Sequence, residues 1–473
     1  MAVLLVVTVG TRDLFLDGKP ISCPRIEGEE ILNSFKTYQQ RLSYPIIRPV
    51  LEYLFQIKNC EVIDRLVLIC TDQPESTDEK YRNQDTIAFA YILQRLIAKE
   101  WGKKIPDIQI FKISSNPTLL DEMYEFFEMQ IPCNKKFQLE DLETCYIETS
   151  GGVPAVNTAL LFQAIRYFKE KCCPLYVSEK TGNVIPLNIG SQLLEDYKKE
   201  IIKKFLEEYE YASISKILER EKTLQSSLYF LAEYARLRLY FDFEGARKAV
   251  QYGLQNAKKI GREIFEQAVL DIEKISQKDP LTLLEELYWN LWIKYHCREY
   301  VDFLGRLYRL QDALLRTAVE KWLGLDMTYD QATQSYKTFV ESLERPEYSV
   351  LYEYLKTYEG PNKKPLVLYW VDIPVLTACL QFLAEKRGDE NAKSLLELNE
   401  KIKPLIQLRH QTILAHGFTG VSEARIREKY PGDLLSEIKT LMNKIWNIKL
   451  EENPFDRINS WFDQLLKISG SEI

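Results

Sequence analysis

The sequence predicts an α/β Rossmann-like N-terminal domain with a parallel sheet, followed by an all-α C-terminal half. Three observations predict it. Short β-branched and aliphatic runs alternate with helical stretches from Val3 to about Ser178, a pattern that builds a parallel sheet with helices on both faces. Strand patterns fade from about Leu193, and heptad-like apolar spacing continues to the end. At 473 residues the chain is long enough for two or three hydrophobic cores.

Taken in order, Val3–Val9 is a continuous apolar run suited to a strand buried on both faces. A helical stretch covers about Glu29 to Ile57, broken near Pro45. Arg65–Thr71 reads as the second strand and Asp85–Ala98 as an amphipathic helix with Ile87, Ala90, Tyr91, Leu93, Leu96 and Ile97 available for packing. Asp107–Ile113 is the third strand, Thr118–Met129 a helix, and Cys145–Thr149 the fourth strand. Pro154–Lys171 is a helix and Leu175–Ser178 a further strand. Asp279-Pro280 and Arg345-Pro346 mark helix–helix turns, and the composition of residues 360–365 is that of a loop. The expected domains are 1–192, a helical connector at 193–345 and a helical domain at 346–473.

Composition narrows the function classes. Hydrophobic content of 46% and charged content of 28% describe a globular protein. A net charge of −7 lacks the basic footprint of a general nucleic-acid binder, so RNA would be met through a local patch. Nine cysteines without a Cys-x-x-Cys pair suit reduced thiols in the cytoplasm. The apolar start reads as a strand and no run reaches membrane-spanning length, so no membrane partner is expected.

In parallel sheets, ligands bind outside the carboxyl ends of the strands. Two such ends are distinctive here. The first carries Thr8, Gly10 and Thr11. The fourth carries Ser150, Gly151 and Gly152 and runs into a helix holding Asn157. Small residues let a backbone approach a ligand, and free N–H groups at a helix start attract phosphate. Neither a Gly-x-Gly-x-x-Gly fingerprint nor a P-loop is present. A tight turn that needs Gly for its backbone alone is the competing explanation.

The helical half holds two of the three histidines within Arg409-His410-Gln411-Thr412-Ile413-Leu414-Ala415-His416. Pro404 suits a first helical position and Gly417 the position past a helix end, which predicts one helix over 404–416. Arg409 and His416 would then lie two turns apart on one face. A fixed cation beside a titratable imidazole suits phosphate chemistry. A surface Arg and a cap-proximal His are the competing explanation.

Val6 to Thr11 and Ser150 to Pro154 resemble the two signature loops of the CRISPR-associated Rossmann fold, the CARF domain. The segment 409–416 resembles the Arg-x(4–6)-His motif of HEPN ribonucleases, with His410 in the polar slot after the Arg. This order is similar to that of ancillary ribonucleases of type III CRISPR antiviral systems. The resemblance implies a homodimer whose CARF pair binds a cyclic oligoadenylate, at the loops carrying Thr8, Gly10, Thr11, Ser150, Gly151, Gly152 and Asn157. Binding would switch on cleavage of single-stranded RNA by its HEPN pair. The four-membered cyclic adenylate is favoured over the six-membered one as activator, and no cofactor is expected.

RNA carries its own nucleophile, the ribose 2′-hydroxyl. His416 can move its proton, Arg409 can hold the phosphate oxygens, and His410 is assigned orientation or substrate contact. No His and carboxylate cluster has metal-ligand spacing, so no metal is expected, and DNA, lacking the hydroxyl, would be inert. The alternative is a non-enzymatic nucleotide-sensing regulator or scaffold whose helical half binds a partner.

Overall fold

The computed structural model describes residues 2–178, 180–219, 227–331, 333–360 and 364–468. The central part of the expected loop at 360–365 lies outside them. Two compact units result, Met1–Lys199 and Glu200–Ile473.

The first unit is built on strands β1 (Ala2–Thr8), β5 (Arg65–Thr71), β6 (Ile108–Ile113), β7 (Leu142–Glu148), β8 (Cys172–Val177) and β9 (Val184–Pro186), in the order β6-β5-β1-β7-β8-β9. The first five are parallel and β9 is an antiparallel edge strand. Side chains alternate across β1. Leu5 and Val7 join a core with helix α2 (Ile87–Trp101), and Leu4 and Val6 join another with α3 (Leu120–Cys133) and α4 (Pro154–Phe168). Burial on both faces is why the strands read as unbroken apolar runs. Strands 1 and 7 are neighbours, with Val7 opposite Glu148. The loops that leave their carboxyl ends therefore emerge side by side.

A second sheet of three short strands was not expected: β2 (Phe15–Leu16), β3 (Lys19–Pro20) and β4 (Leu42–Ser43). Its hairpin turns at Asp17-Gly18, both with positive φ (49° and 75°). Asp-Gly is a strong signal for a two-residue hairpin turn, and it stands in the sequence. The helical stretch of 29–57 divides around β4 into Ile26–Asn33 and Ile47–Glu52, the latter continuing as a π-helical turn over Tyr53–Ile57.

The second unit is helical. Asp279 caps the helix Pro280–His296 by accepting the Thr282 N–H at 3.0 Å, as the Asp-Pro pair predicts. One core runs from Leu284 to Leu450, around the long helix Tyr300–Leu323 and the helices Ile373–Lys386 and Glu390–His410. A second joins Ile202–Ile272 to the last helix, Pro454–Lys467. There Tyr211 donates to Asn459 at 2.8 Å, and Arg238 holds Glu286 in a buried two-pronged pair at 2.7 Å. All nine cysteines are free. Among the described residues no helix is long and apolar enough to cross a membrane.

Candidate active and ligand sites

In the first unit, the loops after β1 and β7 are in backbone contact. A Cβ on Gly10 would lie 2.2 Å from the Gly152 nitrogen, so only glycine permits the approach. Gly152 itself has φ +80°, a region L side chains avoid. Helix α4 then starts with Pro154 at its first position and no side-chain cap, which leaves its N-terminal N–H groups facing the loop.

These loops line a cavity of about 980 Å³. Of the sequence-assigned ligand residues, Gly10, Thr11, Ser150, Gly151, Gly152 and Asn157 line it. Thr8 does not. It is buried, and its hydroxyl donates to the Gly151 carbonyl at 2.9 Å, bracing one loop against the other. Ser150 lines the cavity but uses its hydroxyl to accept the Val177 N–H at 2.6 Å. Asn157 donates from its amide nitrogen to the Thr149 carbonyl at 2.8 Å and to the Gly151 carbonyl. Its amide oxygen is buried and has no partner. An unpaired buried acceptor on a cavity wall is a ready partner for a ligand N–H or O–H.

Two residues that sequence reasoning did not single out hold the loops from below. Asp13 accepts the Gly10 N–H at 2.6 Å, and Glu148 accepts the Ser150 N–H at 2.6 Å. Both carboxyls are fully buried, and each has one oxygen without a partner. Burial pushes the Glu148 carboxyl up to about 7. Burial raises Asp13 well above the carboxylate range, and the nearby Glu148 charge adds to it. A carboxylate at the carboxyl end of a core strand, directly before the Gly-rich turn, is the signal that could have found Glu148. The hairpin and the segment beyond it contribute Phe15, Pro20, Pro45 and Ile46 to the same cavity.

In the second unit, the helix that carries Arg409 is Glu390–His410, capped by Asp389, with Pro404 inside it. The expectation of one helix over 404–416 is therefore corrected. Arg409 and His410 occupy the last turn, and His416 lies in the loop beyond. Thr412 explains the stop. It is buried, and its hydroxyl donates to the Arg409 carbonyl at 2.8 Å, offering the backbone an alternative to another helical turn. The loop then folds back. The His416 N–H reaches the His410 carbonyl at 3.3 Å, and the Thr419 N–H reaches the Gln411 carbonyl at 2.9 Å. A Cβ on Gly417 would meet the Gln411 carbonyl oxygen at 2.2 Å, so glycine there is a condition of the fold-back. Arg425 clamps it by donating to the Gln411 side chain at 3.1 Å.

Proximity of His416 to the Arg409 turn thus comes from a loop closure, not from helical periodicity. Both histidines are exposed and Arg409 is half-buried. The Arg409 guanidinium lies 4.5 Å from the Tyr308 ring centroid, a cation–π contact that fixes it. Its Nε is buried without a hydrogen-bond partner, and among the described residues it makes no ion pair. Its charge is free for an anion. Among the described residues no group of three or more His, Cys, Asp or Glu is placed to hold a metal ion.

Residues 271–463 match the family model described as the Cas_Csm6 HEPN domain, a range that contains Arg409, His410 and His416. A solved structure, Enterococcus italicus Csm6 bound to cyclic hexa-2′-fluoro-hexa-dAMP, shares the fold with a TM-score of 0.55. The likeness covers 98% of this chain and 99% of that one at 12% identity. No curated protein matches. Over residues 271–463 this chain is similar to the Csm6 HEPN family, and over its whole length it shares the fold of that Csm6 structure.

Proposed function

We propose that the chain is an endoribonuclease of type III CRISPR antiviral defence, activated by cyclic oligoadenylate and cutting single-stranded RNA without a metal ion. One observation carries the proposal: a HEPN-matching unit holds an unpaired Arg409 and an exposed His416 together at a folded-back loop. Arg409 binds the nonbridging phosphate oxygens. His416 takes part in removing the 2′-hydroxyl proton. The 2′-oxygen bonds to phosphorus, the bond to the 5′-oxygen breaks, and that oxygen takes up a proton. The products are a 2′,3′-cyclic phosphate and a 5′-hydroxyl. DNA has no such nucleophile and is not cut.

One chain supplies one Arg–His pair, and a two-fold homodimer supplies the second. Ile413 (72% exposed) and Phe418 (94% exposed) flank His416 and give a second copy an apolar surface to cover. His410 orients the substrate at the same helix end.

The activator site is the cavity between the loops after β1 and β7. Backbone N–H groups at the start of α4 meet phosphates, and the Asn157 amide oxygen accepts from an adenine amine or a ribose hydroxyl. The solved Csm6 similar to this chain is bound to a six-membered ring analogue, whereas the sequence reading favoured a four-membered ring. A panel of cyclic oligoadenylates scored by RNA cleavage decides between them. Cleavage that responds to no ring refutes the activator. Cleavage that disappears in a chelator refutes the chemistry.

A further inference from the structure

A second cavity, of about 800 Å³, opens in the helical unit beside the Arg409–His416 loop. One wall is Leu414, two residues from His416. Leu414 packs closely over Gly305, where a Cβ would stand 2.8 Å from the Leu414 methyl. At the mouth, Tyr240 is 57% exposed and Phe241 36% exposed, and the Phe241 and Phe243 ring centroids are 5.4 Å apart.

The backbone at Phe241 is informative. Phe241 has φ +62° and ends the helix Ser227–Leu239, with its N–H on the Arg238 carbonyl at 2.9 Å and the Asp242 N–H on the Leu237 carbonyl at 2.9 Å. Glycine is the ordinary residue at such a helix end. A bulky aromatic there is strained, and its effect is to hold a ring at the cavity mouth.

Lys278, Arg306, Arg309 and Arg316 line the cavity with Asp302 and Glu320; Arg306 pairs with Asp302 at 3.9 Å and Arg316 with Asp312 at 3.2 Å. Arg309 is mostly exposed, with Asp312 as its partner. Exposed rings beside arginines are the elements that bind single-stranded nucleic acid, by stacking bases and meeting phosphates.

We propose that this cavity is an RNA subsite that holds nucleotides flanking the bond cut at Arg409 and His416, with bases stacked on Tyr240 and Phe241 and a phosphate at Arg309. The subsite rests on the ribonuclease reading given above. It places substrate affinity on the turn before the helix Phe243–Asn256, far in sequence from the Arg–His segment, and predicts tolerance of base identity because every base offers a stacking face.

The experiment uses the full chain activated by cyclic oligoadenylate. Phe241→Gly removes the ring and keeps a residue that adopts positive φ freely, so folding is preserved. Arg309→Glu reverses an exposed charge. Binding of a short 2′-O-methyl RNA, which the chain cannot cleave, is measured beside cleavage of the matching RNA. Each variant is expected to weaken binding about tenfold and to raise KM by a similar factor, with a smaller change in kcat. Photocrosslinking of 4-thiouridine RNA to residues 240–241 is expected in the wild type and in His416→Ala. If the wild type cuts RNA while both variants bind and cut as it does, the subsite is wrong and the ribonuclease reading stands. If instead the variants lose self-association with RNA binding intact, a second copy covers the cavity and the subsite is wrong. If the wild type neither binds nor cuts RNA under any ring, both readings fall.

Discussion

Glu148→Gln isolates the buried carboxyl that holds the Ser150 loop. In the folded chain this carboxyl is raised to about 7 from an ordinary 4.5, chiefly by burial. A group raised on folding is protonated in the native state over a pH range where the unfolded chain has released its proton. Its contribution is fully present below about 4.5 and is lost as pH climbs through about 7. At roughly 1.4 kcal/mol per pH unit, that interval is worth about 3 kcal/mol. For a unit of this size, about 1 kcal/mol moves Tm by roughly 2–4 °C, so the first unit should melt on the order of 6 °C lower at pH 8 than at pH 5. Glutamine keeps an oxygen for the Ser150 N–H and is neutral throughout. It also relieves Asp13 of an opposing charge. Calorimetry at both pH values, following the transition that cyclic oligoadenylate shifts, should show the decline in the wild type and most of it removed in Glu148→Gln. Parallel declines in the two proteins would show that Glu148 ionises freely, and the buried-carboxyl account of the loops would be refuted.

Three further outcomes are expected. His416→Ala and Arg409→Ala should each lower the rate of RNA cleavage at least about 100-fold, with activator binding retained, as judged by single-turnover kinetics beside calorimetric titration. Asn157→Asp, which replaces an amide donor to two carbonyls with a third acceptor, and Thr158→Trp, which fills the cavity, should both raise the activator concentration needed for half-maximal cleavage about tenfold or more. Phe418→Glu should shift sedimentation toward the monomer and reduce cleavage with it, because a charge on the exposed face beside His416 opposes burial against a second copy.

Much of the fold was legible because the physics that writes the sequence is local. Strand β5 runs Arg65–Thr71 as its apolar pattern indicates, and the other parallel strands differ by a few residues at their ends. Periodicity is also enough to separate the sheet from the helical half. What escaped was tertiary. The three-stranded sheet rests on two-residue strands too short to show alternation, although Asp17-Gly18 announced its turn. The helix over 404–416 failed because a proline was read as a start signal where packing of Leu405, Ile406 and Leu408 carries the helix through it, and because the Thr412 hydroxyl caps the Arg409 carbonyl. At the candidate ligand site the glycines were legible as glycines, but their purpose was not. A side chain on Gly151 would run into Asp13 at 2.3 Å and the Thr8 carbonyl at 2.6 Å, not into the cavity. Gly151→Arg would therefore break the loop, and Thr158 is the better position at which to block a ligand.

The most direct test is cleavage of a single-stranded RNA by the purified chain in excess chelator, with and without each cyclic oligoadenylate, beside the DNA of the same sequence. The account predicts RNA cleavage that one ring switches on, products ending in 2′,3′-cyclic phosphate, and intact DNA. Equal cutting of DNA, or RNA cutting that needs a divalent metal, would contradict it.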